Sequence, residues 1–368
     1  MSSIPRPERL AAAARALGPE LSERVTLYAD ALADALEREL ELVAWDREQL
    51  IGGLQTRLER LRQRRFRDYG GGGVRVLERR RQPLESIDLA WEELRQGRPV
   101  FVEYERRACS AVPELIRGMG RRINAVVEAP VLTVSDEPLA SSPPDPSASA
   151  MAFAQVRESS TSPSMWPVVG PLRPGPRIAV IEEIADRELA AYVLARTSLR
   201  RSGMDPRGVR RAFVVGGTEL LFRHAQRLWV EVRMGPAEEH GAFAGPVPKR
   251  VYEEFLEAHE AWSLHPDVEV LCAGGPLELA GEKGLYLAPA LFSTHWPTPE
   301  LPMVGPMLVI TQCTKEQALA AAEDAVRENG QVIALGVHPK QYPGDVRLIR
   351  GALLIERLPP GLPDPRPV

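Results

Sequence analysis

The chain has 368 residues, 44% of them hydrophobic and 26% charged, with a formal net charge of −4. That composition is globular rather than disordered or fibrous, and the length exceeds one ordinary core, so two domains are expected. No apolar run reaches the roughly eighteen residues of a membrane-spanning helix, and 46 basic against 50 acidic residues give no overall pull toward nucleic acid.

Cys109, Cys272 and Cys313 lie far apart, which excludes a disulfide framework and a CxxC zinc knuckle. The first twenty residues carry arginines and glutamates and no apolar block, so a protein without a secretory leader, residing in the cytoplasm, is expected. Lysine occurs only at Lys249, Lys283, Lys315 and Lys340. Positive charge in residues 1–248 is therefore arginine, and no chemistry there can use a lysine amine.

In chain order, Leu21, Val25, Tyr28, Leu32, Leu36 and Val43 recur at helical spacing and predict an amphipathic helix over 20–44. Residues 47–66 continue helical and end in an arginine cluster, Arg57 to Arg67, before the glycine run 70–73 stops the segment. From Val74 strand and helix alternate. Strands are predicted at 74–77, 99–104 and 124–134, and helices at 86–97 and 110–123. Residues 136–176 are rich in Ser and Pro, have no period, and read as a long insertion.

The second half is α/β again. Strands are predicted at 177–183, 210–216, 268–274, 284–292, 307–313, 331–337 and 351–358. Helices are predicted at 186–203, 217–232, 247–263 and 315–329, and the tail is proline-rich. The alternation predicts parallel sheets. The domain plan is a helical segment (1–73), a reduced Rossmann-like domain carrying the insertion (74–176), a larger α/β domain (177–350), and a last strand with the tail (351–368).

Local motifs are sparse. The glycine run 70–73 lacks the strand–helix context of a phosphate loop and reads as a linker. Gly216-Gly217 has that context but is an ordinary strand–helix turn. No two histidines stand at i,i+4 around an acid, so no HExxH-type metal site exists; His259 and His265, which flank Trp262, read as surface or half-buried residues. Cys272 lies in an apolar strand and reads as core. Cys313 opens a helix and Cys109 follows Arg106 and Arg107; either setting would lower a thiol pKa, which makes both nucleophile candidates. The cluster Arg57–Arg67 with Arg79, Arg80 and Arg81 reads as a solvated face, with nucleic-acid binding as the alternative.

Residues 185–337 resemble the catalytic-domain half of the aldehyde dehydrogenase superfamily. ADRELAAYVLARTSLRRSGMDPRGVRRAFVV is similar to the helix, nucleophile loop and strand of that family. AGPVPKRVYEEFLEAHEAW is similar to its "VGPL" turn and helix, VEVLCAGG…GLYLAPALF to its Gly-Gly turn and "Y-x-x-P-T" strand, and LPMVGPMLVITQCTKEQALAAAEDA to its "E-x-F-G-P" turn, strand and helix. QPLESIDLAWEELRQGRPVFVEYERRA resembles, more loosely, its "WNFP…K-P" region.

The resemblance fails at the chemical positions. Where the family has asparagine, glycine, glutamine and the catalytic cysteine, this chain has Arg201-Ser202-Gly203-Met204-Asp205-Pro206. Gly203 falls on the glycine, Arg211 on a downstream arginine, and Pro206 on the cysteine, so no thiohemiacetal can form there. The oxyanion-steadying carboxamide falls on Arg81 or Gln82, the ribose-contacting lysine on Glu103, and the glutamate of "E-x-F-G-P" on Pro302. No acid precedes Arg177 where the family's "E-L-G-G" would lie, and its subunit-pairing C-terminal extension is not found after Ile355.

These departures imply an aldehyde-dehydrogenase-like pseudoenzyme, holding no NAD, NADP or metal, that serves as a binding, scaffolding or regulatory partner of another protein, such as a related active enzyme. One alternative is an NAD(P)-dependent oxidoreductase or acyl-transfer enzyme with Cys109 or Cys313 as relocated nucleophile and Glu182 or Glu183 as base. Another is an arginine-rich nucleic-acid adaptor. Neither a membrane nor nucleic acid is the expected partner of the first reading.

Overall fold

A computed structural model describes residues 6–63, 72–139, 166–169, 177–328, 330–336 and 346–348. Most of the Ser/Pro-rich insertion, the strand expected at 351–358, the tail, and Arg64, Arg65 and Arg67 of the arginine cluster lie outside the described residues. The chain forms two compact units. One comprises residues 1–40 and 47–173, the other residues 41–46 and 174–368.

In the first unit, α1 (Pro7–Leu27) and α2 (Ala29–Leu40) replace the single helix expected over 20–44. Glu41, at φ +54°, ends α2, because a left-handed residue cannot continue the right-handed backbone. Then α3 (Ala44–Gln63) leads to β1 (Val74–Glu78), α4 (Glu85–Arg95), β2 (Val100–Tyr104), α5 (Ala111–Val127), β3 (Leu132–Val134) and β4 (Val168–Val169). The strands form a parallel sheet in the order β3-β2-β1-β4. The β1-α4-β2-α5-β3 run is the reduced Rossmann-like arrangement.

The strand expected over 124–134 is corrected. Residues 124–127 complete α5, which buries Met119, Ile123 and Val127 along one stripe, and only Leu132–Val134 is extended. Helical burial at i and i+4 outweighs the strand propensity of Val126 and Val127.

The second unit holds a seven-stranded sheet in the order β13-β12-β5-β6-β11-β10-β7. Its strands are β5 (Arg177–Ile181), β6 (Arg211–Val215), β7 (Val268–Cys272), β10 (Ala290–His295), β11 (Met307–Cys313), β12 (Gln331–Leu335) and β13 (Val346–Leu348). All pairings are parallel except β7 with β10. A short hairpin, β8 (Gly275–Leu277) with β9 (Tyr286–Ala288), stands beside the sheet. Pro289, which has no N–H to donate, separates β9 from β10 and divides the one strand expected at 284–292.

Both faces of this sheet are covered, so its strands read as unbroken apolar runs. Ala179, Ile181, Ala212, Val214 and Ile310 face α6 (Arg187–Ser198) and α7 (Glu219–Glu231), through Ala191, Leu194, Leu221 and Trp229. The alternate residues Ile178, Val180 and Phe213 meet the alanine stripe of α9 (Lys315–Arg327), while Phe292, Met307 and Val309 meet Val251, Phe255 and Trp262 of α8 (Lys249–Ser263). Among the described residues no helix is long and apolar enough to cross a membrane.

Candidate functional site

The resemblance directs attention to the connection between α6 and β6. After Ser198 the chain makes a tight 3-10 turn in which Arg201 (φ +54°), Ser202 (φ +52°) and Gly203 (φ +71°) are all left-handed. Two successive non-glycine residues there are held by specific contacts, because each costs about 1 kcal/mol or more of backbone strain. The Ser202 hydroxyl donates to the Gly245 carbonyl at 2.6 Å. Gly203 lies against the backbone of Gly305, whose carbonyl also accepts from the Arg210 guanidinium. Gly203 is the glycine that the resemblance singled out, and the structure sets it against the Gly305-Pro306 turn.

What surrounds the turn is ionic rather than nucleophilic. Arg200 stands 3.7 Å from Asp46 and 3.5 Å from Asp205, and Asp205 accepts from the Arg207 amide at 2.9 Å. Burial pushes Asp46 up to about 6, although Arg200 and Arg201 oppose it. Burial also raises Asp205, but Arg200 and Arg201 outweigh it and hold that carboxyl below its ordinary value. Arg210, half-buried near Asp205, is lowered to about 10 by its burial. Met204 packs on the α8 core and Pro206 is exposed. The loop offers no thiol, its one hydroxyl is buried on a carbonyl, and its one carboxylate, Asp205, is partnered by arginine.

The sequence alone did not signal the Asp46 contact. Asp46 sits one position after Trp45 in an apolar stretch, and its partners lie more than 150 positions later in sequence.

The relocated candidates stand elsewhere. Cys109 is wholly buried in the first unit, and burial together with the nearby Glu78 pushes its thiol up to about 12. That is opposite to the lowering expected from Arg106 and Arg107. Cys313 is raised to about 11 by burial, outweighing the bond to Val214, opposite to the lowering expected from its place at a helix start. In the parallel β6–β11 register Val309 faces Arg211 and Cys313 faces Val215. Cys313 is therefore about 13 Å along the strands from the Arg211 end where the loop enters. Glu182 follows the end of β5 and reaches Lys315 at 3.4 Å, so it shares the far end of the sheet with Cys313. Cys272, expected in the core, is half-buried on the edge strand, with its thiol raised to about 11 by burial.

The positions equated with cofactor contacts are also occupied. Glu103 binds the Arg75 guanidinium at 2.6 and 2.9 Å. The Pro302 carbonyl accepts from the Trp262 indole N–H at 2.8 Å. Arg81 is exposed in the turn before α4. The first unit holds a more telling group. The buried Glu78 carboxylate, at the end of β1, accepts from the Leu84 amide at 3.0 Å, the Ser86 amide at 3.3 Å and the Ser86 hydroxyl at 2.6 Å. The amino end of α4, a natural anion site, is thus filled by the chain's own carboxyl group. Burial pushes Glu78 up to about 8 against the pull of those donors. Of the arginine cluster, Arg57 is committed to Asp88 and Arg62 to Glu59. Among the described residues no group of three or more His, Cys, Asp or Glu could hold a metal ion.

By sequence the chain matches no family model and no curated protein. Its architecture matches many solved structures. A NAD-dependent benzaldehyde dehydrogenase from Corynebacterium glutamicum superposes with a TM-score of 0.65 at 17% identity, over 96% of this chain and 84% of that one. Methylmalonate-semialdehyde dehydrogenase from Oceanimonas doudoroffii gives 0.67 at 14% identity, over 90% and 74%. A NAD-dependent aldehyde dehydrogenase from Sinorhizobium meliloti gives 0.65 at 17%, over 90% and 71%. The fold is that of the aldehyde dehydrogenases. Within the aldehyde dehydrogenase fold, the α6–β6 connection of this chain is a loop closed by arginine–aspartate pairs, ending in an exposed proline where the resemblance would place sulfur.

Proposed function

We propose that this aldehyde-dehydrogenase-fold protein carries out no aldehyde chemistry and acts as a binding, scaffolding or regulatory partner of another protein, such as a related active enzyme. One observation carries the reading: the loop from Arg200 to Arg211 presents Pro206, a buried Ser202 and one carboxylate, Asp205, paired with arginine, and no group that can attack a carbonyl. The filled amino end of α4 and the Arg75–Glu103 pair support the further proposal that no NAD or NADP is held. Three free cysteines suit a reducing compartment, and we place the protein in the cytoplasm.

Calorimetric titration of the whole protein with NAD and NADP tests the cofactor half, and an aldehyde-oxidation assay tests the chemistry. No saturable heat and no turnover are expected. NAD-dependent aldehyde oxidation that disappears on one substitution overturns the proposal.

A further inference from the structure

A cleft of about 650 Å³ opens in the second unit where β5 and β6 begin, beneath the last turns of α9. Ligand sites are commonly of this size and combine an apolar floor with a few polar groups. The floor here is Phe213 with Trp296, edge to face with centroids 5.8 Å apart. Arg211, two residues before Phe213 on β6, projects on the same face of the sheet. Glu300 and Glu328 also line the cleft.

Both glutamates are close enough to act on Arg211, and neither closes on it. Burial lowers the Arg211 guanidinium and both glutamates act to raise it. Yet among the described residues Arg211, Glu300 and Glu328 form no side-chain hydrogen bond or ion pair, whereas the neighbouring Asp324 is engaged by Arg327 at 2.8 Å. A half-buried guanidinium without its carboxylate is costly. Its planar fork suits a carboxylate bound through two N–H groups, and two carboxylates lining a cleft that also holds an indole suit a cation.

We propose that this cleft binds a free amino acid with a basic side chain, its α-carboxylate on Arg211 and its side-chain cation between Glu300 and Glu328 against Trp296. One molecule then satisfies both halves of the site, which a simple anion or a simple amine cannot do. The cleft adjoins the α6–β6 loop, since Arg210 lines it and also bonds the Gly305 carbonyl beside the turn, and the binding proposal stands whether or not the protein is catalytic.

Isothermal titration of the whole protein with L-arginine is the test. Agmatine, which lacks the carboxylate, and L-norvaline, which lacks the side-chain cation, are the comparison probes. Saturable L-arginine binding is expected, with both comparison probes at least tenfold weaker. Arg211→Met should abolish it. Because Arg211 is half-buried, the exposed pair Glu300→Gln with Glu328→Gln provides a second variant; it should keep the native thermal transition and weaken L-arginine at least tenfold. No saturable L-arginine heat, equal binding of agmatine or norvaline, or undiminished binding in the folded double variant overturns the proposal.

Discussion

Gly203 and Gly305 meet backbone against backbone: a Cβ on Gly203 would stand 2.0 Å from the Gly305 carbonyl oxygen and 2.5 Å from the Pro306 nitrogen. Gly203 also needs φ +71°, so both space and conformation demand glycine. Gly203→Ala is expected to destabilise the second unit by about 3 kcal/mol or more, read as a lowered denaturant midpoint at unchanged slope. Gly217→Ala is the control. Nothing lies within 4 Å of a Cβ at Gly217, so its change should stay within about 0.5 kcal/mol. Equal effects of the two substitutions would remove the close approach as the reason for glycine at 203.

Glu78 makes stability depend on pH. Its pKa is raised by burial from 4.5 to about 8. A raised carboxyl binds its proton more tightly in the folded state, so its contribution is fully present below 4.5 and is lost as pH rises through about 8. Glu78→Gln removes the titration and keeps one of the two acceptor oxygens, the Leu84 amide and the Ser86 groups donating to different ones. Relative to that variant, the wild type is expected to lose on the order of a few kcal/mol between pH 4.5 and 8.5. Thermal melts across that range check it, and parallel curves for the two proteins would refute it.

The α/β alternation and the position of most strands were legible, because two-sided burial and turn glycines leave local marks. Three features were not. The division of residues 20–44 into α1 and α2 turns on Tyr28 and Glu41, whose conformations no spacing announces. The direction of the Cys109 and Cys313 shifts depends on burial, which outweighs the neighbouring charge and helix-terminus effects that sequence shows. The Asp46–Arg200–Asp205 cluster joins residues distant in the chain, and a lone aspartate after a tryptophan carries no sign of its partners.

Asn124 is a single side chain holding three backbone groups. Its amide nitrogen donates to the Leu132 carbonyl at 2.9 Å, and its oxygen accepts from the Val131 and Leu132 amides at 2.9 and 3.0 Å. It thereby fixes the approach of β3 to the end of α5. Asn124→Ala removes its bonds to the Leu132 amide and carbonyl, while the Val131 amide keeps the Ala129 carbonyl at 2.9 Å, and should cost about 2–4 kcal/mol. Amide exchange at Val131 and Leu132 should accelerate well beyond the exchange elsewhere in the first sheet. Uniform acceleration throughout the unit would mean that Asn124 contributes only to global stability.

The cysteines discriminate between a silent site and a relocated one. With thiols raised to about 12 at Cys109 and about 11 at Cys272 and Cys313, the reactive thiolate at pH 7 is about one part in ten thousand or less. Iodoacetamide should therefore modify the native protein slowly at all three positions, and Cys109, which exposes no surface, should react last. In denaturant the three should label together at the rate of a free thiol. Each site is read by mass spectrometry of the digested protein. Rapid labelling confined to Cys109 or Cys313 in the native state would require a thiolate that burial does not permit, and the proposal of a non-catalytic protein would give way to an enzyme using that sulfur.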